Sequence, residues 1–247
     1  MKKPTKKKTL DDIGLEWDSI CETRQNAIQQ GNDISLLSVT APCIIDSIIS
    51  EAPKRVLDIG CGTGYLTSRI SAIVEKCYGI DISRKSIGIA KKLWDQQNLV
   101  FLHTSLMNYH SDNKFDLCVS NMVLSNDPNW LDSMRKTHSL LVDDGCLLIM
   151  IPHPVFWTLY WDLPNETWFN YNSEIYIEHD FSISLESDMG KATFIHRPLS
   201  VYLNGIVNTG FSVERIIEPY PIGPIPEGYV YDYPRFLFIK CRKLDHI

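Results

Sequence analysis

The chain has no Cys-x-x-Cys pair, no glycine loop ending in Gly-Lys-Ser or Gly-Lys-Thr, no Gly-x-Gly-x-x-Gly, and no apolar run long enough to cross a bilayer. Each absence excludes a class. Seven cysteines, at 21, 43, 61, 77, 118, 146 and 241, are an odd number without metal-ligand spacing. That usage implies reduced thiols in a cytoplasmic protein, with neither disulfides nor zinc nor another metal centre. Without the Walker lysine there is no P-loop for a nucleoside triphosphate. The longest apolar run, Cys146 to Ile151, reads as a buried strand, so a soluble protein with no membrane partner is expected. Basic charge is also short. The net charge of -6 argues against nucleic acid as the main partner, because phosphate contacts need a basic face. Met1 to Lys8 is basic but has no apolar segment behind it, so it is not a secretory signal. The expectation over 1–9 is a disordered, solvated tail, the alternative being a nucleic-acid arm.

What is present centres on one stretch. Of 247 residues 44% are hydrophobic, which suits one large domain or one domain with a lid. Arg55 to Ile59 is an apolar run with β-branched residues, Gly60, Gly62 and Gly64 alternate behind it, and Leu66, Ile70, Ile73 and Val74 recur at helical spacing. This is a strand, a tight turn and a helix. Glycine lets the backbone adopt conformations that a Cβ forbids and lets a ligand approach the main chain. The helix start offers unpaired N–H groups to that ligand.

Ahead of it, Thr9-x-x-Asp12 predicts a capping box for an amphipathic helix through Leu10, Ile13, Trp17, Ile20 and Ala27 that stops near Gly31. A second helix runs from about Thr40, with Pro42 in its first turn, to the break at Pro53. These make a helical cap over 10–52. Behind it, strands are expected at Cys77 to Asp81, Val100 to His103, Phe115 to Ser120 and Cys146 to Ile151, with helices at Arg84 to Trp94 and after Asp127-Pro128. Strands alternating with helices imply a parallel sheet wrapped on both faces.

From 152 to 197 the pattern changes. Aromatic residues crowd here (Trp157, Tyr160, Trp161, Trp168), and Ile175 to Leu185 with Lys191 to Ile195 alternate like a hairpin. This segment is expected to be an insertion, a lid or platform beside the ligand cleft, within a domain over 53–247. Its aromatics form either a wall for a planar or cationic acceptor or the insertion's own small core. A helix at Pro198 to Thr209, a strand at Phe211 to Glu218, a proline-rich connector and a last strand at Arg235 to Cys241 complete the chain.

Asp58, inside the end of the first strand, would repel a pyrophosphate and suit a cationic ligand. Asp81, at the carboxyl end of the next strand, is placed to accept hydrogen bonds from a ribose diol. The ligand therefore reads as a nucleoside with a cationic, non-phosphate extension.

Asp58-x-Gly60-x-Gly62-x-Gly64 followed by Gly79-Ile80-Asp81-Ile82-Ser83 resembles the Rossmann-like (class I) S-adenosylmethionine-dependent methyltransferases. The resemblance implies an α/β three-layer sandwich whose seven-stranded, mostly parallel sheet has an antiparallel last strand. It implies S-adenosyl-L-methionine as cofactor and S-adenosyl-L-homocysteine as product. Carried onto this chain, Gly60, Cys61, Gly62 and Gly64 form the methionine turn, Asp58 lies near the cofactor's amino group, and Asp81 takes the ribose hydroxyls. Ile82, Ser105 and Leu106 fall where the family holds adenine, with serine at 105 in place of the usual acidic residue. Asn121 and Met122 fall where the chain passes under the sulfonium, and Trp17 lies on a helix that closes over the cofactor in relatives. The His153-Pro154 segment, His196-Arg197-Pro198, Gly210-Phe211 and Glu218-Pro219 resemble a small-molecule branch of the family.

The expected activity is methyl transfer to a small-molecule acceptor at an O, N or C atom. The candidate base is His153, which leaves the carboxyl end of the fifth expected strand; the alternative is a structural histidine between prolines. Two other readings are a cofactor-binding sensor or partner subunit, and a protein or nucleic-acid methyltransferase. The second of these lacks an Asn-Pro-Pro-Tyr-like segment where Ser120-Asn121-Met122-Val123 stands.

Overall fold

A computed structural model describes residues 2–183 and 189–244. Its first element corrects the expectation of a disordered tail: Lys2–Pro4 forms strand β1, in antiparallel register with residues 177–179. The pairing runs through the main chain, so it needs no hydrophobic pattern in the sequence; Met1 lies outside the described residues. Helix α1 (Leu10–Gln29) starts on the expected box, with the Thr9 side chain accepting from the Asp12 N–H and Asp12 accepting from the Thr9 N–H. A π-helical turn, Ser35–Thr40, leads into α2 (Ala41–Glu51), which ends on Ala52 in the left-handed conformation.

The Rossmann-like α/β core follows as β2 (Arg55–Ile59), α3 (Tyr65–Ser71), β3 (Lys76–Asp81), α4 (Arg84–Leu93), β4 (Leu99–His103), β5 (Phe115–Asn121), α5 (Trp130–Leu140) and β6 (Leu141–Pro152). After the insertion come α7 (Leu199–Asn208), β9 (Phe211–Ile217) and β10 (Phe236–Lys243). The seven strands lie in the order β4-β3-β2-β5-β6-β10-β9. The first five run parallel, and β10, last in the chain, is antiparallel to both its neighbours.

Burial on both faces explains the continuous apolar runs. Along β6, Leu147 and Ile149 face a core built with Trp130 and Met134 of α5 and Tyr202 and Ile206 of α7. Leu148 and Met150 face the opposite core, with Ile44 and Ile48 of α2 and Ile70 of α3. Alternate side chains thus serve two hydrophobic layers.

The insertion holds a short helix, α6 (Phe156–Tyr160), and an antiparallel hairpin of β7 (Ile175–Asp180) and β8 (Lys191–His196). With β1 it makes a separate three-stranded sheet, ordered β1-β7-β8. The end of the expected first hairpin strand, 184 and 185, lies outside the described residues. Arg197 fastens the insertion to the core: buried, it donates from Nη1 to Leu124 O and from Nη2 to Asp127 O, both at 2.8 Å, while Nε meets Glu174 at 2.6 Å. Among the described residues no helix is long and apolar enough to cross a membrane, and no group of three or more metal-ligating side chains is assembled.

Candidate active site

The glycine turn is built from the strand outward. The N–H groups of Gly60 and Cys61 both donate to Ile80 O, at 2.8 and 3.0 Å, which ties the turn to the end of β3. Gly60 takes φ +69°, and a Cβ there would stand 2.3 Å from Val123 Cγ2. This glycine lets the segment after β5 pack on the turn. Gly62, at φ +56°, has open space where its Cβ would be, and that space is the cleft. Gly64 serves packing instead, with Phe101 and Trp94 pressed against it.

Asp81 joins the turn to the next helix. One carboxylate oxygen accepts from the Gly62 N–H at 2.8 Å and the other from the Ser83 N–H at 2.7 Å. Burial raises its pKa, against the lowering effect of these two bonds and of Arg24. Asp58 is 1% exposed and accepts from Thr67 Oγ1 at 2.7 Å. Its pKa is pushed up to about 7 by burial, with the Asp81 charge adding to the rise.

Helix α1 lies over these strand ends because Asp18 caps α4, accepting from Ser83 Oγ at 2.6 Å and from the Lys85 N–H at 2.9 Å. The docking presents Ile13, Trp17, Cys21 and Arg24 along one face to a cleft. Gly60, Gly62, Asp81, Ile82, Ser105, Leu106, Asn121 and Met122 line the same cleft, so most residues expected at the site are brought together. Asp58 and Cys61 line a smaller pocket continuous with it through Gly60, Gly62, Asn121 and Arg24. Ser105 also caps a turn through the Asn108 N–H at 3.2 Å.

A second cavity opens under the insertion. Trp17, Arg24, Asn121, Met122 and Asn126 border both it and the cleft. Its remaining walls include Trp157, Tyr160, Trp161, His179, Phe194 and Arg235. Met122, at the junction, has φ +64°, a strained conformation for a side chain with a Cβ. The insertion's aromatics therefore do both things left open by the sequence: they pack on one another, Trp157 on Trp161 at 5.3 Å, and they wall a chamber.

His153, the candidate base, is not brought together with the other site residues. It is 4% exposed, its Nε2 meets Glu218 at 3.0 Å, and its Nδ1 accepts from the N–H groups of Val155 and Phe156. It lines neither cavity and serves to cap the turn after β6. Burial lowers its pKa, against the opposing pull of Glu218. Arg24, Arg235 and His179 were not singled out by sequence. Arg24 had a signal, since 17, 21 and 24 fall on one helical face with Trp17; the other two had none.

The family model for the methyltransferase domain matches residues 44–182. A malonyl-[acyl-carrier protein] O-methyltransferase of Bacillus cereus is 26% identical over 143 residues, 57% of this chain and 52% of that protein. A ubiquinone biosynthesis O-methyltransferase of Aromatoleum aromaticum is 34% identical over 105 residues, 41% of this chain and 45% of that one. The chain spans about half the length of these curated relatives. Among solved structures, an S-adenosylmethionine-dependent methyltransferase of Mesorhizobium loti superposes with a TM-score of 0.60 at 18% identity, over 83% of this chain and 98% of that one. The 1,6-didemethyltoxoflavin-N1-methyltransferase of Burkholderia thailandensis gives 0.60 at 13% identity, over 99% and 95%. At these identities the structures speak for the fold. With its domain matched over more than half its length, the chain belongs to the methyltransferase domain family and has the Rossmann-like fold of the S-adenosylmethionine-dependent methyltransferases.

Proposed function

We propose that the protein transfers a methyl group from S-adenosylmethionine to a small-molecule acceptor held in the chamber under the insertion. The observation that carries this is the meeting of two cavities at Asn121 and Met122, with Trp17 and Arg24 between them. In this reading Asp81 receives the ribose hydroxyls, and Ile82, Ser105 and Leu106 bound the adenine. The pocket holding Asp58 beside Arg24 suits the cofactor's amino-acid end, an ammonium against the carboxylate and a carboxylate against the guanidinium. An open cradle at Gly62 and the orphaned, buried Asn121 Oδ1 also fit a bound nucleoside.

The cofactor supplies an already activated methyl group, so the chain's task is alignment and exclusion of water. Bound there, the cofactor would give up its methyl from the sulfonium, becoming a neutral thioether, and a hydroxyl acceptor would lose its proton to solvent. Where the acceptor is a hydroxyl, His179 is the chamber histidine that can orient it. Its Nδ1 lies 3.2 Å from Asp180 O, a carbonyl that can only accept, so the proton sits on Nδ1 and Nε2 is an acceptor. Burial lowers its pKa to about 4, which keeps the ring neutral. Incubation of the purified chain with methyl-labelled cofactor and a panel of small acceptors tests the proposal. Transfer of label to a small molecule supports it. Retention of cofactor with no transfer to any acceptor favours a sensor or partner subunit instead.

A further inference from the structure

Arg235 lines the second cavity and is 6% exposed, yet no carboxylate of a described residue pairs with it. Its neighbours are rings: the guanidinium carbon lies 4.0 Å from the centroid of Tyr160, 4.8 Å from Tyr229 and 5.5 Å from Tyr231. Among the described residues the guanidinium makes one hydrogen bond, from Nη2 to Val230 O. A buried cation without a counter-charge is costly, and ring faces compensate for only part of its lost hydration. The other arginine of this chamber has a counter-charge, Arg24 lying against Asp33 at 3.5 Å, and Lys2, which donates to Trp161 O at 2.9 Å, is less buried than Arg235.

A second, independent observation points the same way. Trp157 Nε1, in the same wall, is a buried donor with no partner. Arginine and indole N–H groups can only donate, so this end of the chamber asks for an acceptor-rich, negatively charged group. The chamber lining also offers acceptors: the orphaned Asn121 Oδ1, which borders the cleft as well, and His179 Nε2. The lining is otherwise largely aromatic, with Trp161 edge-on to Phe194 at 5.4 Å and Trp157 tilted against Phe236 at 5.8 Å.

We infer that the acceptor is a planar aromatic carboxylate bearing a hydroxyl, with its carboxylate on Arg235 and Trp157 Nε1 and its hydroxyl toward Asn121 and His179. The inference rests on the cofactor assignment above and names the substrate class of that site. Arg235 is then the residue that selects acids over neutral analogues.

The test titrates the full chain, saturated with S-adenosylhomocysteine, with 3,4-dihydroxybenzoate and with 3,4-dihydroxybenzamide. The acid is expected to bind about tenfold to a hundredfold tighter than the amide, the range of a charge-assisted hydrogen-bonded pair. Arg235→Gln removes that preference, Arg235→Lys keeps part of it, and both bind S-adenosylhomocysteine as the wild type does, which shows that they are folded. Equal affinity for acid and amide in the wild type, or no binding of either at millimolar concentration, overturns the inference and leaves the cofactor assignment intact. Failure of the wild type to bind S-adenosylhomocysteine overturns the assignment and the inference with it.

Discussion

Glu16 on α1 holds Thr193 on β8 twice, accepting from its N–H at 2.9 Å and from its Oγ1 at 3.0 Å. The same carboxylate meets Lys8, whose Nζ also reaches Glu178 on β7 at 3.3 Å. One acidic side chain thus links the N-terminal segment, the helix over the cleft and the sheet over the chamber. Glu16→Ala is expected to cost about 1–3 kcal/mol, because it strands the two buried donors of Thr193 and leaves Lys8 with Glu178 alone. Urea denaturation measures this. Acceptor KM should rise more than the cofactor Kd, since the sheet that Glu16 holds lines the proposed acceptor chamber.

The glycines of the turn separate packing from binding. Gly60→Ala forces a Cβ onto Val123 at a positive φ, and a loss of about 1–3 kcal/mol of stability is expected. Gly62→Ala meets no atom within 4 Å, so its cost is the backbone conformation alone, and its Cβ enters the cleft. Thermal melts and cofactor titrations of the two variants should therefore rank in opposite order, with Gly60→Ala less stable and Gly62→Ala weaker in binding for its stability.

Asp58 gives a pH signature. Its folded pKa of about 7 lies above the ordinary value of 3.8, so as pH rises between these values the unfolded chain releases a proton that the fold retains. Stability contributed by this group is therefore full at low pH and lost as pH rises toward 7. The stability of wild type minus that of Asp58→Asn should fall across this window, measured by denaturation at each pH. A cofactor ammonium beside Asp58 would favour its ionised form, so binding near pH 6 should release protons. Calorimetry in buffers of different ionisation enthalpy reads that release, which Asp58→Asn abolishes.

The two histidines should part company. His153→Gln loses a turn cap and the contact with Glu218, so a loss of about 1–3 kcal/mol of stability is expected with kcat near wild type. His179→Gln should lower kcat about tenfold to a hundredfold for a hydroxyl acceptor through lost orientation, with cofactor affinity unchanged. Both rings have lowered pKa values, chiefly from burial, so their contribution to stability is present above 6.5 and lost as pH falls, toward about 4 for His179. This slope opposes that of Asp58, and only differences between variant and wild type separate them.

What the sequence disclosed follows the range of each interaction. The sheet was legible because period-two and period-3.6 patterns encode local burial: the expected β5, Phe115 to Ser120, differs from the observed strand by one residue. Asp58, the glycines and Asp81 were legible because a turn between strand and helix constrains residue type locally. β1 was not, since Lys2-Lys3-Pro4 pairs through its backbone with a strand far along the chain. The direction of a side chain at a strand end was not legible either, and His153 turns away from the cavities toward Glu218. Arg235 had the look of a strand start; its value as an uncompensated cation depends on Tyr160, Tyr229 and Tyr231 converging on it in space.

The central claim is that the cleft over Gly62 and Asp81 binds S-adenosylmethionine. Isothermal titration of the wild type and of Asp81→Asn tests it most directly, with melting in the absence of cofactor as the check on folding, because Asp81 also receives the Gly62 and Ser83 N–H groups. The account predicts one cofactor bound per chain and an affinity about tenfold to a hundredfold weaker in the folded variant, from the loss of charge-assisted bonds to the ribose. No binding to the wild type, or the same affinity in both proteins, would contradict it.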